Sequence, residues 1–130
     1  MNQPITALLL GLALLSGCGD GGIPGNVSEE TDPSRPIRVA PGQEFRLVLN
    51  SNESTGFRWM LADSAGLRTV QLLERRYERR RGNNNGGAGG RERWSFRATR
   101  AGEDSIVLVY RRPWEPRPPV ETRRFHVVVR

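Results

Sequence analysis

The stretch EFRLVLN, Glu44 to Asn50, puts Phe45, Leu47 and Leu49 on one side and Arg46 on the other. A repeat of two is the spacing of a strand with one buried face, because successive side chains leave a pleated backbone in opposite directions. The repeat returns downstream. RWSFRAT (93–99) alternates Trp94, Phe96 and Ala98 with Ser95 and Arg97, and RFHVVVR (124–130) offers Phe125, Val127 and Val129. DSIVLVY (104–110) presents Ile106, Leu108 and Tyr110, although Val107 and Val109 make it apolar on both faces.

One window of helical length lacks a Gly or Pro break, LRTVQLLERRYERRR (67–81). Its Thr69, Val70 and Tyr77, and its all-strand surroundings, favour a long strand. Strands are expected near 37–40, 44–50, 56–62, 67–80, 91–99, 104–111 and 122–129. About seven short strands with turn signals between them predict an all-β fold, an immunoglobulin-like antiparallel β-sandwich.

Three of the six connections, APG, DSAG and RAGE, are plain. The second, fourth and sixth are SNESTG, GNNNGGAGG and RPWEPRPPVE. In a sandwich of alternating strands, every other connection lies at the same end. All three unusual loops are therefore expected at one pole.

Each loop has its own physics. In the first, Asn52 can close an Asx-turn, Thr55 an ST-turn, and Gly56 can take a positive φ. Phe57 and Trp59 face the same side, with Trp59 expected in the core. In the second, Gly87, Gly89 and Gly90 leave backbone amides and carbonyls open to a close approach, or the segment is a plain linker. The third is stiffened by Pro113, Pro116, Pro118 and Pro119 and displays Trp114 beside Arg112. Trp and Arg are the residue types that dominate binding energy at interfaces.

The chain of 130 residues carries a net charge of +6, and all 20 basic residues are Arg. The densest run, ERRYERRR (74–81), has acids mixed in and reads as a solvated strand face rather than a nucleic-acid surface. Enzyme chemistry has no support. The single His126 points outward between Phe125 and Val127, no Ser has a His and an acid placed to activate it, and metal-ligand spacing is absent. No cofactor is expected.

The first residues read differently. ITALLLGLALLSGC, Ile5 to Cys18, is an apolar run that ends in small residues, as an export signal does. Leu15-Ser16-Gly17-Cys18 resembles the bacterial lipobox, in which cleavage before the Cys exposes a thiol for diacylglycerol. That resemblance implies a signal peptide over 1–17, lipid on Cys18 and a membrane anchor through it. By resemblance to the sorting rule of Gram-negative envelopes, Gly19 rather than Asp after Cys18 implies the outer membrane, facing the periplasm. Residues 18–36, rich in Gly, Pro, Ser and acids, are expected to be a flexible tether with a reach of roughly 20–25 Å. The folded domain is expected over 37–130.

NESTGFRW (52–59), GAGG (87–90) and RPW (112–114) resemble, in order and spacing, the three signature loops of the chagasin family. These are immunoglobulin-fold inhibitors of papain-like cysteine proteases. The resemblance implies reversible, non-covalent blockade by a monomer. Asn52, Glu53, Ser54, Thr55, Gly56 and Phe57 would enter the cleft. Gly87, Ala88, Gly89 and Gly90 would lie along one wall, and Arg112, Pro113 and Trp114 would brace the other. The chain departs from the family pattern at Glu53, where the family has Pro, and at Ser54, where it has Thr. Glu53 is expected to loosen the turn, and to weaken inhibition or favour targets with a basic residue near the cleft. A second reading keeps the sandwich as a non-inhibitory envelope module that binds anionic glycan, lipid or another envelope protein.

Overall fold

The computed structural model describes residues 27–81 and 89–130. The leader over 1–17, Cys18, and the loop residues Gly87 and Ala88 lie outside the described residues. Within them the chain forms eight strands: β1 (Ser28–Glu30), β2 (Ile37–Val39), β3 (Glu44–Ser51), β4 (Arg58–Leu61), β5 (Val70–Arg79), β6 (Gly90–Ala98), β7 (Gly102–Arg111) and β8 (Glu121–Val129). They make two four-stranded sheets, ordered β1-β3-β6-β5 and β2-β8-β7-β4.

The period-two faces of the sequence meet between the sheets. Phe45, Leu47 and Leu49 from β3 join Trp94, Phe96 and Ala98 from β6, and face Ile106, Leu108, Phe125, Val127 and Val129 from β7 and β8. Phe45 and Phe96 are register partners whose rings stack at 5.6 Å. Each such side chain, taken fully from water, contributes about 1.5–3 kcal/mol. Trp59 is buried as expected, and His126 is exposed, 3.6 Å from Glu103.

The sandwich differs from the expected one at its edges. The segment expected to be tether supplies β1, which runs parallel to β3 with Ser28 opposite Phe45 and Glu30 opposite Leu47. Without it the edge of β3 would present unpaired backbone groups. Glu29 adds contacts of 3.9 Å to Arg46 and 3.6 Å to Arg93. An Asx-turn then sends the chain across to the other sheet: Asp32 Oδ1 accepts from the Ser34 N–H at 2.9 Å and its hydroxyl at 2.6 Å. β2 pairs parallel with β8. The sheets are therefore mixed rather than wholly antiparallel, and order begins before Ile37.

β5 starts at Val70, later than expected, because Asp104 takes the donors ahead of it. Its Oδ2 accepts the Arg68 N–H at 2.9 Å, the Thr69 N–H at 2.6 Å and the Thr69 hydroxyl at 2.6 Å. The register also shifts between Leu72 and Glu74, a β-bulge that leaves Leu73 over. β4 is shorter than expected because the residues before it form a helical turn.

Register brings the ends of the three unusual connections to one pole. Ser51 at the end of β3 and Arg79 at the end of β5 both pair with Gly90 at the start of β6. In the second sheet Arg58, which opens β4, pairs with Arg111, which closes β7, and Tyr110 pairs with Glu121 of β8.

Asp104 makes the fold acid-sensitive. Partial burial pushes its carboxyl up, but bonds from the Thr69 hydroxyl and from the Thr69, Arg68 and Val70 amides outweigh that and hold it below its ordinary 3.8. A carboxyl depressed in the folded state contributes stability in full above its unfolded value and loses it as pH falls through the folded one. Asp104→Asn should therefore lose less urea stability than wild type as pH is lowered below about 5. Equal losses would contradict the role given to Asp104.

Candidate functional site

The first loop is a capped helical turn. Glu53–Thr55 form one turn of 3-10 helix, with Asn52 as its N-cap and Gly56 closing it at φ 82°. Asn52 Oδ1 accepts from the Ser54 N–H at 3.3 Å and from the Ser54 hydroxyl at 2.5 Å. The Thr55 hydroxyl donates to the Asn52 carbonyl at 2.6 Å, and the Gly56 N–H to the Glu53 carbonyl at 2.9 Å. The Asx-turn and the positive φ are where the residue types put them.

Two side chains root this turn. The Tyr110 hydroxyl accepts the Asn52 N–H at 3.0 Å, and its ring packs against Phe57 at 5.4 Å and Trp59 at 4.9 Å. Glu92 is fully buried; its Oε2 accepts the Trp59 N–H at 3.0 Å and its Oε1 the Arg75 Nε at 2.6 Å. Arg75 then reaches Glu53 Oε1 with Nη2 at 3.1 Å. One guanidinium thus joins the core carboxylate to the loop tip.

Glu53 stands in a turn that is capped by Asn52 and paired to Arg75. Proline would fix φ covalently. Here the Asn52 cap and the Arg75 ion pair supply the restraint, and the carboxylate is bound back toward β5.

The third loop leans on the first. Arg112 Nε donates to the Thr55 carbonyl at 2.9 Å, while its guanidinium lies 4.5 Å over the Phe57 ring. Its Nη1 pairs with Glu115 at 3.1 Å, and the Glu115 N–H closes a turn on the Arg112 carbonyl at 3.1 Å. Pro113 and Trp114 sit at the tip, both exposed, Trp114 by 65%. The Trp114 ring covers Gly56 so closely that a Cβ there would stand 2.4 Å from Cη2. Gly56 is needed twice, for its φ and for this contact.

The second loop touches the first from the other side. A Cβ on Gly89, at φ +58°, would stand 3.3 Å from the Ser51 carbonyl and 3.7 Å from Asn52 Cβ. The open-backbone reading of these glycines needs correction at two positions. Gly90 is buried inside β6, where a Cβ would meet the Glu78 carbonyl at 2.2 Å, and the Gly89 carbonyl accepts the Arg80 N–H at 3.1 Å. Close internal packing, not spare backbone, accounts for both.

The described residues among the candidates thus converge: Asn52 to Phe57 in the centre, Gly89 and Gly90 on one flank, Arg112 to Trp114 on the other. Tyr110, Glu92 and Arg75 were not among those candidates. Glu92 had a signal, since it lies two residues before Trp94 on the core-facing register of β6. Glu92→Ala should cost about 3 kcal/mol in urea unfolding, because Arg75 and the Trp59 N–H lose their acceptor together. A cost under about 1 kcal/mol would remove Glu92 from this role.

The arrangement holds no nucleophile–base pair and, among the described residues, no group of acids, His or Cys placed to bind a metal. Among the described residues it is a contact surface built from the first loop, the third loop and the Gly89–Gly90 end of the second. Residues 38–129 match the family described as chagasin family peptidase inhibitor I42. Amoebiasin-1 of Entamoeba histolytica is 33% identical over 88 residues, which is 67% of this chain and 82% of that protein. The solution structure of Amebosin aligns with a TM-score of 0.66 at 29% identity, over 82% of this chain and 100% of that one. The crystal structure of the cysteine protease inhibitor EhICP2 from Entamoeba histolytica aligns with a TM-score of 0.64 at 20% identity, over 80% and 95%. With the match spanning both sheets and two of the three loops among the described residues, the chain belongs to the chagasin family of peptidase inhibitors.

Proposed function

We propose that this protein is a reversible, non-covalent inhibitor of papain-like cysteine proteases, and that the three-loop pole is the surface that closes the protease cleft. The observation that carries this reading is the convergence of Asn52–Phe57, Gly89 and Trp114 on one rigid tip. Membership in a family of peptidase inhibitors supports it, as does the fold shared with the cysteine protease inhibitor EhICP2. The family consists of inhibitors, not enzymes.

In this mechanism the turn at 52–56 enters the cleft as a narrow wedge. The Asn52, Ser54, Thr55 and Gly56 amides are occupied internally, and a helical turn offers a protease no extended, cleavable strand. Trp114 is the apolar anchor, and Arg112 holds it against Gly56. Ordering entropy is largely spent before binding, which favours tight association. A nanomolar complex needs about −12 kcal/mol, within reach of an interface of roughly 1,600 Å². Because Glu53 is bound to Arg75, it meets the cleft entrance as half of an ion pair rather than as a bare charge.

The inhibitor is further proposed to hang from a bacterial outer membrane into the periplasm by lipid on Cys18. The leader over 1–17 and the tether that follows support that placement; β1 shortens the tether at its C-terminal end. Radiolabelled palmitate should enter the wild-type chain in a bacterial host and not Cys18→Ser, and equal labelling would contradict the anchor.

The central test is titration of the purified chain against papain. Wild type should inhibit reversibly, and Trp114→Ala should weaken inhibition by about 30-fold or more, the effect of losing a dominant interface residue. Thr55→Ala should weaken it by about tenfold, since the turn loses its bond to the Asn52 carbonyl. Absence of inhibition by wild type would contradict the function. Unchanged potency in both variants would contradict the site.

A further inference from the structure

The arginines on β5, on β6 and just beyond β5 fall into two groups. Arg75, Arg76, Arg93 and Arg97 are each within 3.1 Å of a carboxylate. Arg79, Arg80, Arg81 and Arg91, at the loop-pole end of the same strands, have no carboxylate partner among the described residues. They line two adjoining depressions that share Arg80 and Arg91. The two acids in those depressions are already engaged, Glu78 with Arg93 at 3.1 Å and Glu121 with Arg123. Four positive charges therefore stand together without local compensation.

Their position gives them a partner. Arg91 is the register partner of Asn50, Arg79 that of Gly90, and the Arg80 N–H bonds to Gly89, which packs on Asn52. The cluster is roughly 10 Å from the wedge, about two strand spacings. An interface of standard size covers about 800 Å² on each partner, a patch about 30 Å across. Whatever seats on the wedge and on Trp114 must also stand over these arginines. We propose that the cluster is a docking surface for an acidic rim beside the protease cleft, so that the preferred targets are papain-like proteases carrying carboxylates along the wall that meets the second loop. This rests on the inhibitor reading and narrows its partner. Uncompensated charges at the edge of a contact surface act mainly on the encounter: they raise the association rate and are screened by salt.

The test compares two charge-matched quadruple variants of the full chain. Arg→Gln at 79, 80, 81 and 91 empties the cluster; Arg→Gln at 38, 68, 100 and 130 removes the same charge from the opposite pole. Association and dissociation rates are measured against papain and against papain succinylated on its lysines. Wild type should associate with succinylated papain about tenfold faster at low salt. The cluster variant should lose that gain with its dissociation rate unchanged, and the opposite-pole variant should keep it. Equal behaviour of the two variants would overturn the docking surface while leaving inhibition intact. So would a cluster variant that keeps wild-type rates and loses only retention on heparin, which would make the cluster a polyanion site. Failure of wild type to inhibit either form would instead bring down the inhibitor reading itself.

Discussion

Glu92 is a carboxylate inside an apolar sandwich, and its retention there depends on complete pairing. An unpaired buried charge costs several kcal/mol; here one oxygen takes the Trp59 N–H and the other takes Arg75. Those two donors come from opposite sheets, so the carboxylate ties β4 to β5 through β6. Remove that tie and Arg75 keeps only its place over the Trp94 ring, at 5.8 Å, and its exposed pair with Glu53 to hold it there. Trp59 would also lose one of the two bonds, the other being its Nε1 to the Asn50 carbonyl at 2.9 Å, that fix the start of β4. Among the described residues the loop pole is anchored to the core through the two filled oxygens of Glu92.

From that root the three loops support one another by short contacts. Tyr110 holds Asn52 from below, Arg112 holds Thr55 from one side, and Gly89 packs against Ser51 and Asn52 from the other. Each loop taken alone is a short polar or proline-rich connection with little to bury. Together they form a surface whose shape precedes its partner, the condition under which contact area converts to affinity with least loss to ordering. Glu53 fits this logic: a residue without proline's fixed φ is accommodated by recruiting a charge already present in the core.

The strands and the shared pole could be read from sequence because period two holds throughout β6 and is broken only by Val48 in β3 and Val128 at the end of β8, and because alternate connections of a sandwich must emerge together. The site's supports were harder to see. Glu92 occupies a core-facing position that hydrophobic reading passes over, and its partner Arg75 lies in a run of arginines that looks uniformly solvated. β1 escaped notice because three residues, Ser28 to Glu30, carry no apolar alternation; what orders them is the free edge of β3, visible only once the sheet exists. The glycines misled in a related way. Gly90 looks like spare backbone in a glycine-rich loop, but it is buried because Glu78 and Tyr77 leave no room for a Cβ.

The claim on which all of this turns is that the wedge is formed before any protease arrives. Amide hydrogen exchange on the free chain measures it residue by residue. The Asn52, Thr55, Gly56 and Trp59 amides, bonded to Tyr110, Asn52, Glu53 and Glu92, should exchange far more slowly than an unstructured peptide, with Trp59 as protected as the core strands. Exchange of all four at the rate of an unstructured peptide would contradict a preformed pole.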